Sequence, residues 1–167
     1  MEETPRQYTE RILGYLSGKD PLVVLSGTPT MIARLIGDAP RSALASSPAP
    51  GKWSVNEILA HLADSEMVYG FRIRLILEGN EPTIQGTDQD LWARAGNYKN
   101  QDPDLSLEAL RVTRERTVRL LRALPPKSWE LFGTHSERGK ETIKRVVEML
   151  AGHDLNHLRQ IEDRLRG

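Results

Sequence analysis

The spacing between two long apolar stripes restricts the fold of this chain more than any other feature. One stripe runs from Ile58 through Leu59, Leu62, Tyr69, Ile73 and Ile76 to Leu77. The next starts only near Asp104 and carries Leu107, Leu110, Thr113, Thr117, Leu120, Leu121 and Leu124. Both repeat at the period of an amphipathic helix. Antiparallel helical neighbours need connections of only about 2–8 residues. The roughly 25 residues here are long enough to let these two helices run parallel.

Helix ends are marked in the same stretches. Ser54 followed by Glu57 is a capping box, the cap alone contributing about 1 kcal/mol, and Trp53 stands where it can staple onto Ile58. Gly79-Asn80-Glu81-Pro82 stops that helix and Pro125-Pro126 stops the next,. Residues 88–94 predict a short helix inside the crossover. A last helix is expected from about Thr142 to Leu165, its inner face made of Ile143, Val146, Val147, Leu150, His153, His157, Ile161 and Leu165. Residues 6–17 and 21–36 read as one broken helical arm, interrupted at Asp20-Pro21 and at Gly27-Thr28-Pro29. The Pro/Ala/Ser-rich stretch 39–51 reads as a loop. Strand signals are scarce, because period-2 alternation is nowhere sustained. The expectation is an all-α, up-down-down-up four-helix bundle with a broken first helix and a long crossover between helices 2 and 3, as a single domain over residues 1–167.

Composition removes several function classes. The 167 residues hold 23 basic and 23 acidic side chains and no cysteine. Balanced charge without a basic stripe speaks against nucleic acid and anionic membrane as partners. Absent cysteine excludes disulfides, thiolate ligands and a cysteine nucleophile. The polar N-terminus is unlike a signal peptide and no run approaches 18 apolar residues, so the expected setting is cytoplasmic with no membrane partner.

Two of the four histidines, His153 and His157, stand four apart in "AGHDLNHL". On a helix they share a face about 6 Å apart. His61 lies seven residues after its cap, roughly 10 Å along its helix, and His157 roughly 12 Å from the end of the last helix. If those helices are antiparallel, three imidazoles meet at one depth. Three neutral imidazoles suit zinc, nickel, copper or iron(II) and leave a coordination position open, as in catalytic sites. Glu57, Asp64 and Asp154 are candidate carboxylates to orient these rings, although capping or solvated roles suit each equally. Periodicity does not separate a ligand from a core histidine bonded to a carbonyl. A zinc-protease reading of His153-Asp154-x-x-His157 fails, because aspartate replaces the longer glutamate and no further ligand motif follows.

The segments "GKWSVNEILAHLADSEMVYGFRIRLIL", "DQDLWA", "LRVTRERTVRLLRALPPKSWELFGTHSERGKETI" and "AGHDLNHLRQI" resemble the DinB-like superfamily, most closely its YfiT-type metal-dependent hydrolase branch. The likeness spans Tyr8 to Leu165. It implies the same bundle topology and a nickel or zinc ion held by His61, His153 and His157. It also implies a metal-dependent hydrolase, or a thiol S-transferase using a low-molecular-weight thiol cosubstrate on a small electrophilic substrate, and makes a homodimer plausible. The competing expectation is a non-catalytic, metal-stabilised bundle for dimerisation or partner binding.

Four further residues stand near this picture. His135, in "GTHSERGKET", is either an acid–base group at the bundle mouth or a surface loop histidine. Arg72, in "FRIRLIL", can face the cavity and hold a carboxylate, or, like Arg74, meet solvent or a crossover acid. Trp92 is a packing anchor that can also form a substrate-pocket wall.

Overall fold

The computed structural model describes residues 3–166. Its helices are α1 (Pro5–Gly14), α2 (Pro21–Ile36), α3 (Arg41–Ala45), α4 (Val55–Leu77), α5 (Gln89–Ala95), α6 (Pro103–Arg122) and α7 (Ile143–Arg166). Short strands β1 (Thr83–Ile84), β2 (Phe132–His135) and β3 (Gly139–Thr142) complete it. The Ser54 hydroxyl accepts from the Glu57 N–H while Glu57 bonds back to the Ser54 backbone, so α4 starts on the expected capping box. Asp102 caps α6 with Pro103 in its first turn, where a missing N–H costs nothing,.

Helices α2, α4, α6 and α7 form the bundle. Glu66 of α4 meets Arg114 of α6, and Gly70 lies against Thr117 one turn later, so α4 and α6 are parallel. His61 lies beside His157 while Tyr69 lies nearer His153, so α4 and α7 are antiparallel. Leu25 of α2 reaches Arg114, whereas Ile32 and Ile36 pack with Leu110 and Ile161. That makes α2 antiparallel to α6, and the order is up-down-down-up. Residues 78–102 are the crossover that makes the parallel pair possible.

Besides the short helix α3, with Leu44 buried, inside the stretch 39–51 that reads as a loop, two expectations need correction. Gly27-Thr28-Pro29 does not interrupt α2; the arm breaks only between Gly14 and Pro21. Pro29 has no N–H to offer the Leu25 carbonyl four residues back. Arg114 Nη1 donates to that carbonyl instead, at 3.1 Å. Second, the segment "GTHSERGKET" is the β2–β3 hairpin rather than a loop, and β1 from the crossover pairs parallel to β2. Strands of two to four residues are too short to show alternation.

The core is two apolar clusters separated by a polar layer. One gathers Ile12, Leu25, Ile73, Ile76, Leu121 and Val147, the other Ile32, Ile58, Leu62, Leu110 and Ile161. Between them Arg114, 2 % exposed, donates from Nε to Glu66 (2.6 Å) and from Nη1 and Nη2 to Asp154 (2.5 and 3.2 Å). One guanidinium thereby joins all four bundle helices. Burial opposes its charge, but Asp154 and Glu66 outweigh that and raise its pKa. Outside the bundle, α1 lies so close to α7 that a Cβ on Gly152 would sit 2.2 Å from the Ile12 carbonyl oxygen.

Candidate metal centre

The polar layer continues into three histidines. His61 comes from the second turn of α4, and His153 and His157 from one face of α7. Their Nε2 atoms converge: His61 to His153 is 2.9 Å and His157 to His153 is 3.1 Å. All three side chains are buried and their ligand atoms lie within 4.8 Å of one another. Burial lowers the pKa of His61 to about 4 and, with His61 adding to it, that of His157 to about 3. His153 is pushed well below its ordinary value by burial and then by the two neighbouring rings. The imidazoles are therefore neutral at pH 7, the state a metal requires.

The donor set fits a divalent transition ion. Imidazole nitrogens bound at about 2.0–2.1 Å to a tetrahedral zinc stand about 3.3 Å apart, close to the separations here. His157 Nδ1 lies 3.2 Å from Gln160 Oε1, an acceptor, so its proton sits on Nδ1 and the Nε2 lone pair points at the other rings,. A single proton on His153 Nε2 would have to be shared between His61 and His157, whereas a cation meets all three nitrogens at once,.

Beside the triad opens a cavity of about 360 Å³, with His61 and His153 in its wall. The outer walls come from the N-terminal end of α1, the crossover and the β2–β3 hairpin. Arg72, Trp92 and His135 all line this cavity, as does Asp64. Trp92 remains 37 % exposed, a rim residue rather than a buried anchor. His135 is 2 % exposed, which rules out the surface-loop reading. Its Nδ1 accepts from the Glu137 N–H at 3.2 Å, which places its proton on Nε2, a buried atom without a partner among the described residues. Burial first, then Arg138, lowers the His135 pKa.

The three carboxylates expected to orient the rings are engaged elsewhere. Glu57 accepts from Ser54 and closes the α4 cap. Asp154 projects into the polar layer to meet Arg114, because one residue past His153 a helix has turned away from the triad,. Asp64 accepts from the Tyr98 hydroxyl and faces the cavity. Arg74 donates back to the Gly70 carbonyl of its own helix and lies outside the cavity.

Sequence reasoning missed the residues that actually touch the triad. The Trp53 ring lies 4.8 Å from that of His61 and stacks on His157 at 6.5 Å. Its position eight residues before His61, two helical turns, was the available signal. Gln160 is three after His157 and shares its face.

Fold and donor set together define a helical bundle with a three-histidine candidate metal centre opening on a cavity. The DinB superfamily model matches residues 25–161, and the chain belongs to that superfamily. An Oceanobacillus iheyensis protein named "putative metal-dependent hydrolase" is 30% identical over 133 residues, covering 80% of this chain and 77% of that one. YfiT of Bacillus subtilis, named in the same words, is 28% identical over 142 residues, covering 84% and 79%. The solved structure of YfiT, described as having an unusual four-helix bundle topology, superposes with a TM-score of 0.82 at 23% identity, over 99% of this chain and 89% of that one. No helix among the described residues is long and apolar enough to cross a membrane.

Proposed function

We propose that this chain is a metal-dependent enzyme, a hydrolase or a low-molecular-weight-thiol S-transferase, acting on a small electrophilic substrate. His61, His153 and His157 hold one divalent transition ion, nickel or zinc. The observation that carries the reading is the convergence of three neutral, buried imidazole nitrogens beside a cavity large enough for a small molecule,. Relatives named as metal-dependent hydrolases support the same reading.

A bound ion of this kind supplies Lewis acidity, lowering the pKa of a coordinated water or thiol and polarising an electrophile. The chain's own groups do the rest. Gln160 holds the proton of His157 on Nδ1 and so keeps its Nε2 free. Trp53 packs its ring beside those of His61 and His157 and helps hold them in place. His135, neutral at pH 7 with its proton on Nε2, presents a hydrogen-bond donor to the same cavity.

A closed, purely structural ion would call for a fourth protein ligand. The cluster among the described residues holds three, and Ser65 Oγ, 3.4 Å from His61 Nε2, is a neutral hydroxyl. That favours the enzyme over a metal-stabilised docking module.

Elemental analysis of the native protein tests the site. About one transition ion per chain is expected, lost in His61→Ala. Protein purified without metal whose melting temperature is unmoved by nickel or zinc would refute it, since an ion at 100 times its Kd stabilises by about 2.7 kcal/mol. Turnover of an electrophile with and without added thiol then separates transferase from hydrolase.

A further inference from the structure

The cavity holds a buried cation that the chemistry above does not use. Arg72 is only 7 % exposed, yet among the described residues no carboxylate lies within ion-pair distance of it. Its one hydrogen bond runs from Nη2 to the Gln85 carbonyl at 2.7 Å, and its guanidinium carbon stands 5.4 Å from the Tyr69 ring centroid. Buried Arg114 and half-buried Arg138 show the contrast. Arg114 is held by Glu66 and Asp154, and Arg138 is held by both oxygens of Glu141, at 2.7 and 3.0 Å. A desolvated guanidinium without an anion is costly, and burial lowers the Arg72 pKa accordingly. A second donor lines the same cavity: the buried, unpartnered Nε2–H of His135.

We propose that the substrate carries a carboxylate that docks on Arg72, with the Nε2–H of His135 beside it, while its reacting end lies over the three histidines. The inference deepens the proposed function and rests on this cavity being where substrate binds. Tyr69 borders both ends of this arrangement, its ring 6.4 Å from the His153 ring and its centroid 5.4 Å from the Arg72 guanidinium carbon. Arg138 is already held by Glu141, so Arg72 is the cation left to meet a ligand, and with Glu137 in the same wall it suits a monoanion better than a phosphate dianion,.

The experiment compares acids with their own neutral amides: benzoate with benzamide, phenylacetate with phenylacetamide, hexanoate with hexanamide. Binding is measured by calorimetry to the full chain, metal-free and nickel-loaded. Each wild-type form should bind at least one acid about tenfold or more tighter than its amide, as expected for a charge-assisted pair. Arg72→Gln should abolish the preference and Arg72→Lys should retain part of it. No acid preference anywhere in the panel overturns the proposal, as does a preference that survives in Arg72→Gln. Inorganic phosphate binding more tightly than every acid overturns the choice of a monoanion. A preference confined to the nickel-loaded protein and insensitive to Arg72→Gln means that the acid ligates metal, and the subsite is wrong while the metal site stands. Acid preference in protein that takes up no nickel gives the reverse. Should Arg72→Gln fail to fold, the wild-type pairs and Arg72→Lys decide.

Discussion

Arg114→Met is the substitution that the polar layer makes most informative. Methionine keeps much of the length and the packing but removes every donor. Glu66 and Asp154, both with fully buried side chains, lose the only cation paired with them among the described residues, and the Leu25 carbonyl loses the donor that replaced the missing Pro29 N–H. Breaking a buried ion pair by removing one partner costs about 3–5 kcal/mol, and the orphaned carbonyl adds about 1–3 kcal/mol. Part of this is offset when the stranded carboxylates take up protons, each unit of pKa shift being worth about 1.36 kcal/mol. A net loss of about 4 kcal/mol at pH 7 is expected, a large share of a typical stability of about 5–15 kcal/mol. The deficit has a characteristic pH dependence. In the variant, buried carboxylates without a cation titrate above their unfolded values, so the native state holds more protons than the unfolded state between about pH 4 and 7. Its stability therefore falls as pH rises, and the gap to wild type narrows on acidification. Urea unfolding at pH 7.0 and 5.5 reads both effects. A loss under about 1 kcal/mol at pH 7, or a gap that does not narrow at pH 5.5, would refute the assignment of this layer as an ionic clamp.

The metal-free protein should lose stability as pH falls from about 6.5 towards 4. The unfolded histidines gain protons near 6.5, whereas native His61 and His157 do so only at about 4 and about 3,. The loss is at most roughly 3 kcal/mol per imidazole, and a melting temperature flat across pH 5.0–7.0 would contradict it. Gly152→Ala drives a methyl group into the Ile12 carbonyl, so a destabilisation of about 1–3 kcal/mol is expected; unchanged urea unfolding would show that α1 does not pack there. Gln160→Leu removes the acceptor that sets the His157 tautomer. It should weaken nickel affinity about tenfold with little change in metal-free stability, and calorimetry that finds equal affinity would sink that role.

Much of the architecture is legible in the residues. The Ser54–Glu57 box, the stop signals and the long crossover determine which helices run parallel, and matched depths along α4 and α7 bring three imidazoles together. What was not legible has specific physical causes. Arg114, Glu66 and Asp154 sit on inward stripes at helical spacing: Leu110–Arg114–Thr117, Leu62–Glu66–Tyr69 and Leu150–Asp154–Leu158. Each charge in a core position is readable; that the three meet depends on tertiary geometry. Pro29 is a helix breaker by local propensity, and only a donor from 85 residues further along lets α2 continue. His135 reads as a loop residue because a hairpin with four-residue strands has no periodicity to display. Asp154 shows a limit of proximity in sequence, since adjacent residues on a helix point apart.

The division between bundle and wrapping segments has a practical consequence. The imidazoles stand on α4 and α7, whose relative register the Arg114 layer fixes. Most of the surface a ligand would meet instead belongs to α1, the crossover and the hairpin, which do not belong to the four-helix frame. The outer pocket wall is therefore editable apart from the reactive centre and from Arg72, which both stay on the frame. A library confined to positions 87–92 and 136–138 would explore new ligands against a constant centre, which makes this small bundle a chassis for redesign.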